Sequence, residues 1–60
     1  MYRIQKIGEV WNIRNNHTGR ERSLLPKEVQ KLLEEFPALR HGQQFNYFRN
    51  RISSIADLPV

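Results

Sequence analysis

Sixty residues, with ten Lys and Arg against six Asp and Glu and a net charge of +4, describe a single small basic domain. The absence of cysteine excludes a disulfide and a thiolate metal site, and a hydrophobic content of 38% is too high for a disordered chain. No apolar run approaches the about 20 residues that a membrane helix needs, and Met1-Tyr2-Arg3-Ile4-Gln5-Lys6 lacks the apolar region of a signal peptide, so the expectation is a cytoplasmic protein without a membrane partner.

A chain this short buries only about 60% of the surface that its unfolded form exposes. Support from tight packing, a second copy or a larger partner is therefore expected. Residues 2–7 read as a strand, Gly8-Glu9 as a tight turn and residues 10–14 as the returning strand. If Ile7 faces Val10, then Ile4 faces Ile13 and Lys6 faces Trp11. Tyr2, Ile4, Trp11 and Ile13 then share one face, whereas a slip of one residue scatters them. Asn15-Asn16-His17-Thr18-Gly19 is a turn signal, and residues 20–24 form a third, polar strand with Trp11 opposite Leu24.

Pro26 suits the first turn of a helix that runs to Phe36, where Pro37 stops it. Leu25, Val29, Leu32, Leu33 and Phe36 lie on one face of that helix. Glu34 and Glu35 near its C-terminus oppose the helix dipole. Residues 37–42 form a connector with one helical turn, Leu39 inward and Gly42 at its end. A second helix is expected over residues 43–55, because Phe45, Phe48, Ile52 and Ile55 recur at spacings of three, four and three. Pro59 keeps the tail from helical continuation, and Leu58 tucks against the core. The predicted class is α+β: a short three-stranded antiparallel meander, residues 2–24, then helices over 26–36 and 43–55.

Catalytic and metal chemistry find no support in this pattern. His17 and His41 lie in a turn and a connector, without an acid or nucleophile at a recognisable spacing. Glu34 and Glu35 project about 100° apart and cannot converge on one atom. Gly8, Gly19 and Gly42 are isolated, and no glycine-rich phosphate loop is present. No enzyme activity and no cofactor are expected.

The binding candidates are clearer. On the expected second helix, Asn46 and Asn50 project together one turn apart, and Arg49 and Arg51 flank the apolar stripe. Asn and Arg are the side chains that read adenine and guanine edges. Helix, glycine-containing connector and second basic helix resemble a helix-turn-helix, although residues 37–42 exceed the usual turn length. Arg14, Arg20 and Arg22 surround the 15–19 turn, with Arg3 on the neighbouring strand, and a basic ribbon can clamp phosphates. Trp11, on the apolar face, reads as core. The leading expectation is a non-enzymatic regulatory or accessory protein that binds nucleic acid through Arg14, Arg20, Arg22, Arg49 and Arg51 on phosphates and Asn46 and Asn50 on bases. The alternative is an inhibitor or modulator that docks on a larger protein, such as a nucleic-acid enzyme, through Tyr47, Arg49 and Arg51, or a small subunit of a larger assembly. A homodimer would place two copies of the basic helix at a fixed spacing.

Overall fold

The computed structural model describes residues 1–41 and 44–60. Strands β1 (Tyr2–Ile7), β2 (Val10–Asn15) and β3 (Glu21–Ser23) precede helix α1 (Pro26–Glu35). A 3-10 turn (Pro37–Arg40), strand β4 (Gln44–Tyr47) and a second 3-10 turn (Arg49–Arg51) follow. The class is α+β, with a four-stranded antiparallel sheet in the order β3-β2-β1-β4. No helix among the described residues is long and apolar enough to cross a membrane.

The first hairpin has the register that the apolar pattern requires. Ile7 pairs with Val10, Lys6 with Trp11 and Ile4 with Ile13. Gly8 supplies the positive φ, 61°, at the first turn position, and positive φ is confined to glycine among the described residues. That combination gives a type II′ turn, whose twist matches the flanking strands. At the second turn the Asn15 carboxamide oxygen accepts the amides of His17 (2.9 Å) and Thr18 (3.2 Å). Gly19, at φ 78°, closes the loop by donating its amide to the Asn15 carbonyl at 2.7 Å. The Leu24 amide donates to the Trp11 carbonyl, so these residues lie opposite one another as expected.

One face of the sheet carries Tyr2, Ile4, Ile13, Phe45 and Tyr47 and packs under α1 and the C-terminal segment. The buried set is Tyr2, Ile4, Ile13, Leu24, Leu32, Leu39, Ile52 and Ile55. Ile4, Ile13, Leu32 and Leu39 are fully enclosed, and each such side chain contributes roughly 1.5–3 kcal/mol of transfer free energy. Leu39 is held inward by the 3-10 turn that follows Pro37. Trp11 is half-buried against the core rather than enclosed by it. Phe36 stacks on Tyr47 with ring centroids 4.1 Å apart, which ties the end of α1 to β4. The tail is fixed where Tyr2 Oη and Asn15 Nδ2 both donate to the Pro59 carbonyl, at 2.9 and 3.1 Å.

The second helix expected over residues 43–55 is not formed. Residues 44–47 are a strand paired antiparallel to β1, with Tyr47 opposite Tyr2 and Phe45 opposite Ile4. Arg49–Arg51 is a single 3-10 turn, and the chain beyond it is irregular. The physical reason is the free edge of β1, whose backbone groups β4 satisfies while Phe45 and Tyr47 join the core at a spacing of two. The expected stripe therefore breaks up. Ile52 and Ile55 are buried and Phe45 is half-buried, but Phe48 is 62% exposed. The expected helix start at Gln43 and the connector end at Gly42 lie outside the described residues. The meander of three strands becomes a sheet of four, and α1 ends at Glu35, one residue short of expectation.

Candidate nucleic-acid interface

The face of the sheet turned away from α1 collects the residues that alternate with the core. At one level Asn46, Arg3, Arg14 and Glu21 stand side by side across all four strands. At the next level Gln5, Asn12 and Ser23 follow. Beyond them Ile7 and Val10 end the face near the Gly8-Glu9 turn, 63% and 49% exposed. This face runs from apolar through amide to arginine, with Ser23 and the acidic Glu21 along its β3 edge.

Arg3 and Arg14 are directly opposed cross-strand partners. Like charges in that relation repel and weaken the pairing. Their Nε atoms are enclosed by the neighbouring side chains and have no hydrogen-bond partner among the described residues, and the same holds for Asn12 Oδ1. An enclosed donor without an acceptor carries a desolvation penalty. Arg14 leans toward the second turn, since its Nη2 lies 3.7 Å from the position a Cβ on Gly19 would take. Asn46 is anchored from the same turn, with Asn16 Nδ2 donating to its Oδ1 at 3.0 Å.

The sequence-selected residues divide between several places. Arg14 and Asn46 come together with Arg3 on the open face. Arg22 points the other way and is engaged internally. Its Nη1 and Nη2 donate to the two Glu28 carboxylate oxygens at 3.0 and 2.7 Å. Its Nε and Nη2 also donate to the Asp57 carbonyl at 3.0 and 2.8 Å. The bidentate bonds from Arg22, with the Leu25 amide, hold the Glu28 carboxyl down at about 2, and the same bonds raise Arg22. Arg20 borders a shallow cleft of about 280 Å³ beside Asp57, Leu58 and Val60. Arg49, Asn50 and Arg51 are exposed on the 3-10 turn after β4, so Asn46 and Asn50 no longer share a helical face. Tyr47 lies on the core side, where burial raises its phenol above the ordinary value.

Arg3, Gln5 and Asn12 complete the open face, and no motif marks them. Their signal is the alternation itself, since Tyr2 and Ile4 on β1 and Trp11 and Ile13 on β2 alternate with Arg3, Gln5, Asn12 and Arg14. Among the described residues no group of three or more His, Cys, Asp or Glu is placed to hold a metal ion. Protein-family models, curated proteins and solved structures give no match to this chain.

Proposed function

We propose that this protein is a non-enzymatic regulatory or accessory protein that binds nucleic acid on the open face of its sheet. The observation that supports this reading most is the opposed Arg3–Arg14 pair, two like charges side by side on the inner strands with no hydrogen-bond partner for either Nε among the described residues. A phosphate over the pair would accept from the outer Nη donors of the two guanidinium groups and offset their repulsion. Asn46 and Gln5 add amide donors and acceptors suited to base edges, and Asn12 adds its amide nitrogen as a donor. The exposed Arg49 and Arg51 after β4, and the net charge of +4, add long-range attraction. Arg22 serves the fold and is not part of this interface.

The test is binding of a labelled oligonucleotide at two salt concentrations with two charge-matched double variants. Arg3→Gln/Arg14→Gln should weaken binding at least tenfold and flatten its salt dependence. Lys27→Gln/Lys31→Gln, which removes the same charge from the outer side of α1, should change affinity by no more than about twofold. Equal losses in both variants would mean that net charge alone does the binding.

The alternative reading, a modulator docked on a larger protein, keeps the exposed Arg49 and Arg51 but not Tyr47, which lies on the core side, and draws on the apolar end of the open face, where Ile7 and Val10 are 63% and 49% exposed. It predicts no affinity for oligonucleotides even at low salt.

A further inference from the structure

We propose that the nucleic acid taken by the open face is single-stranded, RNA or DNA, and that Phe48 stacks one of its bases. The inference rests on the nucleic-acid reading above and adds the class of ligand and a further contact residue.

The shape of the interface argues first. The major groove of a duplex, about 12 Å wide, admits an α-helix or a two-stranded ribbon. The arginine pair here sits on the two inner strands of a four-stranded sheet. Strands spaced about 4.8 Å apart make that sheet roughly 14 Å across between its outer strands, before side chains are added. The sheet cannot lower Arg3 and Arg14 to the floor of a groove. Helix α1, the remaining element of suitable width, turns Leu32 to the core and offers Lys27, Gln30, Lys31 and Glu34 outward. That mixed surface has no arginine or asparagine. A flat surface of this kind suits unpaired nucleotides, whose base faces and edges are both free.

Phe48 argues second. It follows β4 directly, and its extended backbone (φ −71°, ψ 149°) continues the alternation of the strand. It therefore lies on the side of Asn46, at the arginine end of the open face. It is 62% exposed, whereas Phe45 and Tyr47 are half-buried against the core. An exposed phenylalanine two residues beyond Asn46, the cross-strand partner of Arg3, combines with the arginine pair the two devices of single-strand recognition, a stacking platform and a basic track along the backbone. Phosphate at Arg3 and Arg14, a base on Phe48 and amide contacts from Asn46, Gln5 and Asn12 use the polar part of the face on β1, β2 and β4, while Glu21, opposite Arg14 on β3, repels phosphate and bounds the track on that edge.

The test uses the full chain and fluorescein-labelled oligonucleotides of about 12 nucleotides, within the usual range of single-strand site sizes. The probes are a single-stranded RNA, the single-stranded DNA of the same sequence and the corresponding DNA duplex. Binding is read by anisotropy for the wild type, Phe48→Ala and Phe48→Tyr. Either single strand should bind at least tenfold tighter than the duplex. Phe48→Ala should weaken single-strand binding about tenfold with an unchanged salt slope, and Phe48→Tyr should retain it. The relative affinity of the RNA and DNA arms identifies which single strand is preferred. Duplex binding as tight as single-strand binding, or Phe48→Ala without effect, would overturn the inference and leave the nucleic-acid reading standing. Absence of binding to all three probes would remove that reading and this inference together.

Discussion

Two arginines on adjacent strands show how little residue type alone decides. Arg14 and Arg22 lie opposite sides of the same turn, one on each face of the sheet. Arg22 is saturated by Glu28 and the Asp57 carbonyl. Arg14 faces Arg3 and keeps an enclosed Nε without a partner among the described residues. The first is a structural clamp that joins β3, the first turn of α1 and the tail. Glu28 also accepts the Leu25 amide at 3.0 Å, satisfying one of the free donors at the helix start. Its carboxyl titrates at about 2 in the fold against 4.5 ordinarily. The clamp is thus fully present above about pH 4.5 and is lost as pH falls through the folded value near 2. Because the pair is partly solvated, its contribution is on the order of 1 kcal/mol. Glu28→Gln should lower stability at pH 7 by about that amount. It should also flatten the fall in unfolding free energy between pH 4.5 and 2, as followed by urea denaturation across that range. A Glu28→Gln curve that still falls as steeply as wild type would assign the acid sensitivity to other carboxylates.

At the scale of elements, Glu35 compensates for its unfavourable place at the C-terminal end of α1. Its two oxygens accept the amides of Ser53 and Ser54 at 3.2 Å each, the Ser54 hydroxyl at 2.8 Å and the Ser53 hydroxyl. Partial burial pushes this carboxyl up, but the bonds from Ser53 and Ser54 outweigh it, and the net shift is downward. The irregular segment after β4 is therefore held to α1 by a carboxylate, with Ile52 and Ile55 buried beside it. In Glu35→Gln the amide group replaces one acceptor oxygen with a donor. Hydrogen exchange at the Ser53 and Ser54 amides should then accelerate about tenfold, while β1 and β2 amides change less. Uniform acceleration across the chain would mean that the segment opens only with global unfolding.

The same region shows where the sequence was legible and where it was not. The register of β1 and β2, the turn at Gly8 and the inward Leu39 follow from patterns within a few residues. The fate of residues 44–55 does not. Phe45, Phe48, Ile52 and Ile55 satisfy a helical period, and Phe45 and Tyr47 satisfy a strand period equally well. The free edge of β1, some 40 residues earlier in the chain, settles the competition. The candidate site inherits that ambiguity. Arg14 and Asn46 were recognisable as polar groups of the right chemistry, but their meeting with Arg3 on one face depends on β4 being a strand. Once β4 pairs with β1, Asn46 stands opposite Arg3, and Asn50 moves away to the exposed 3-10 turn.

At the scale of the whole molecule, 60 residues divide into a covered face and an open one. All the buried apolar residues serve the covered side, and there Arg22 is paired. The open side carries an opposed arginine pair that weakens the sheet, amides suited to bases and an exposed phenylalanine at its rim. A marginal domain with a net charge of +4 gains from losing that repulsion to a bound anion. The central claim is that the open face of the sheet is the nucleic-acid site. The most direct measurement follows backbone amide resonances by NMR while an unlabelled single-stranded oligonucleotide is added. The account predicts that the shifts concentrate on Arg3, Gln5, Asn12, Arg14, Asn46 and Phe48, with Lys27, Gln30 and Lys31 on α1 unmoved. Shifts centred on α1 or on the Arg20–Arg22 edge, or no shifts at saturating oligonucleotide, would contradict it.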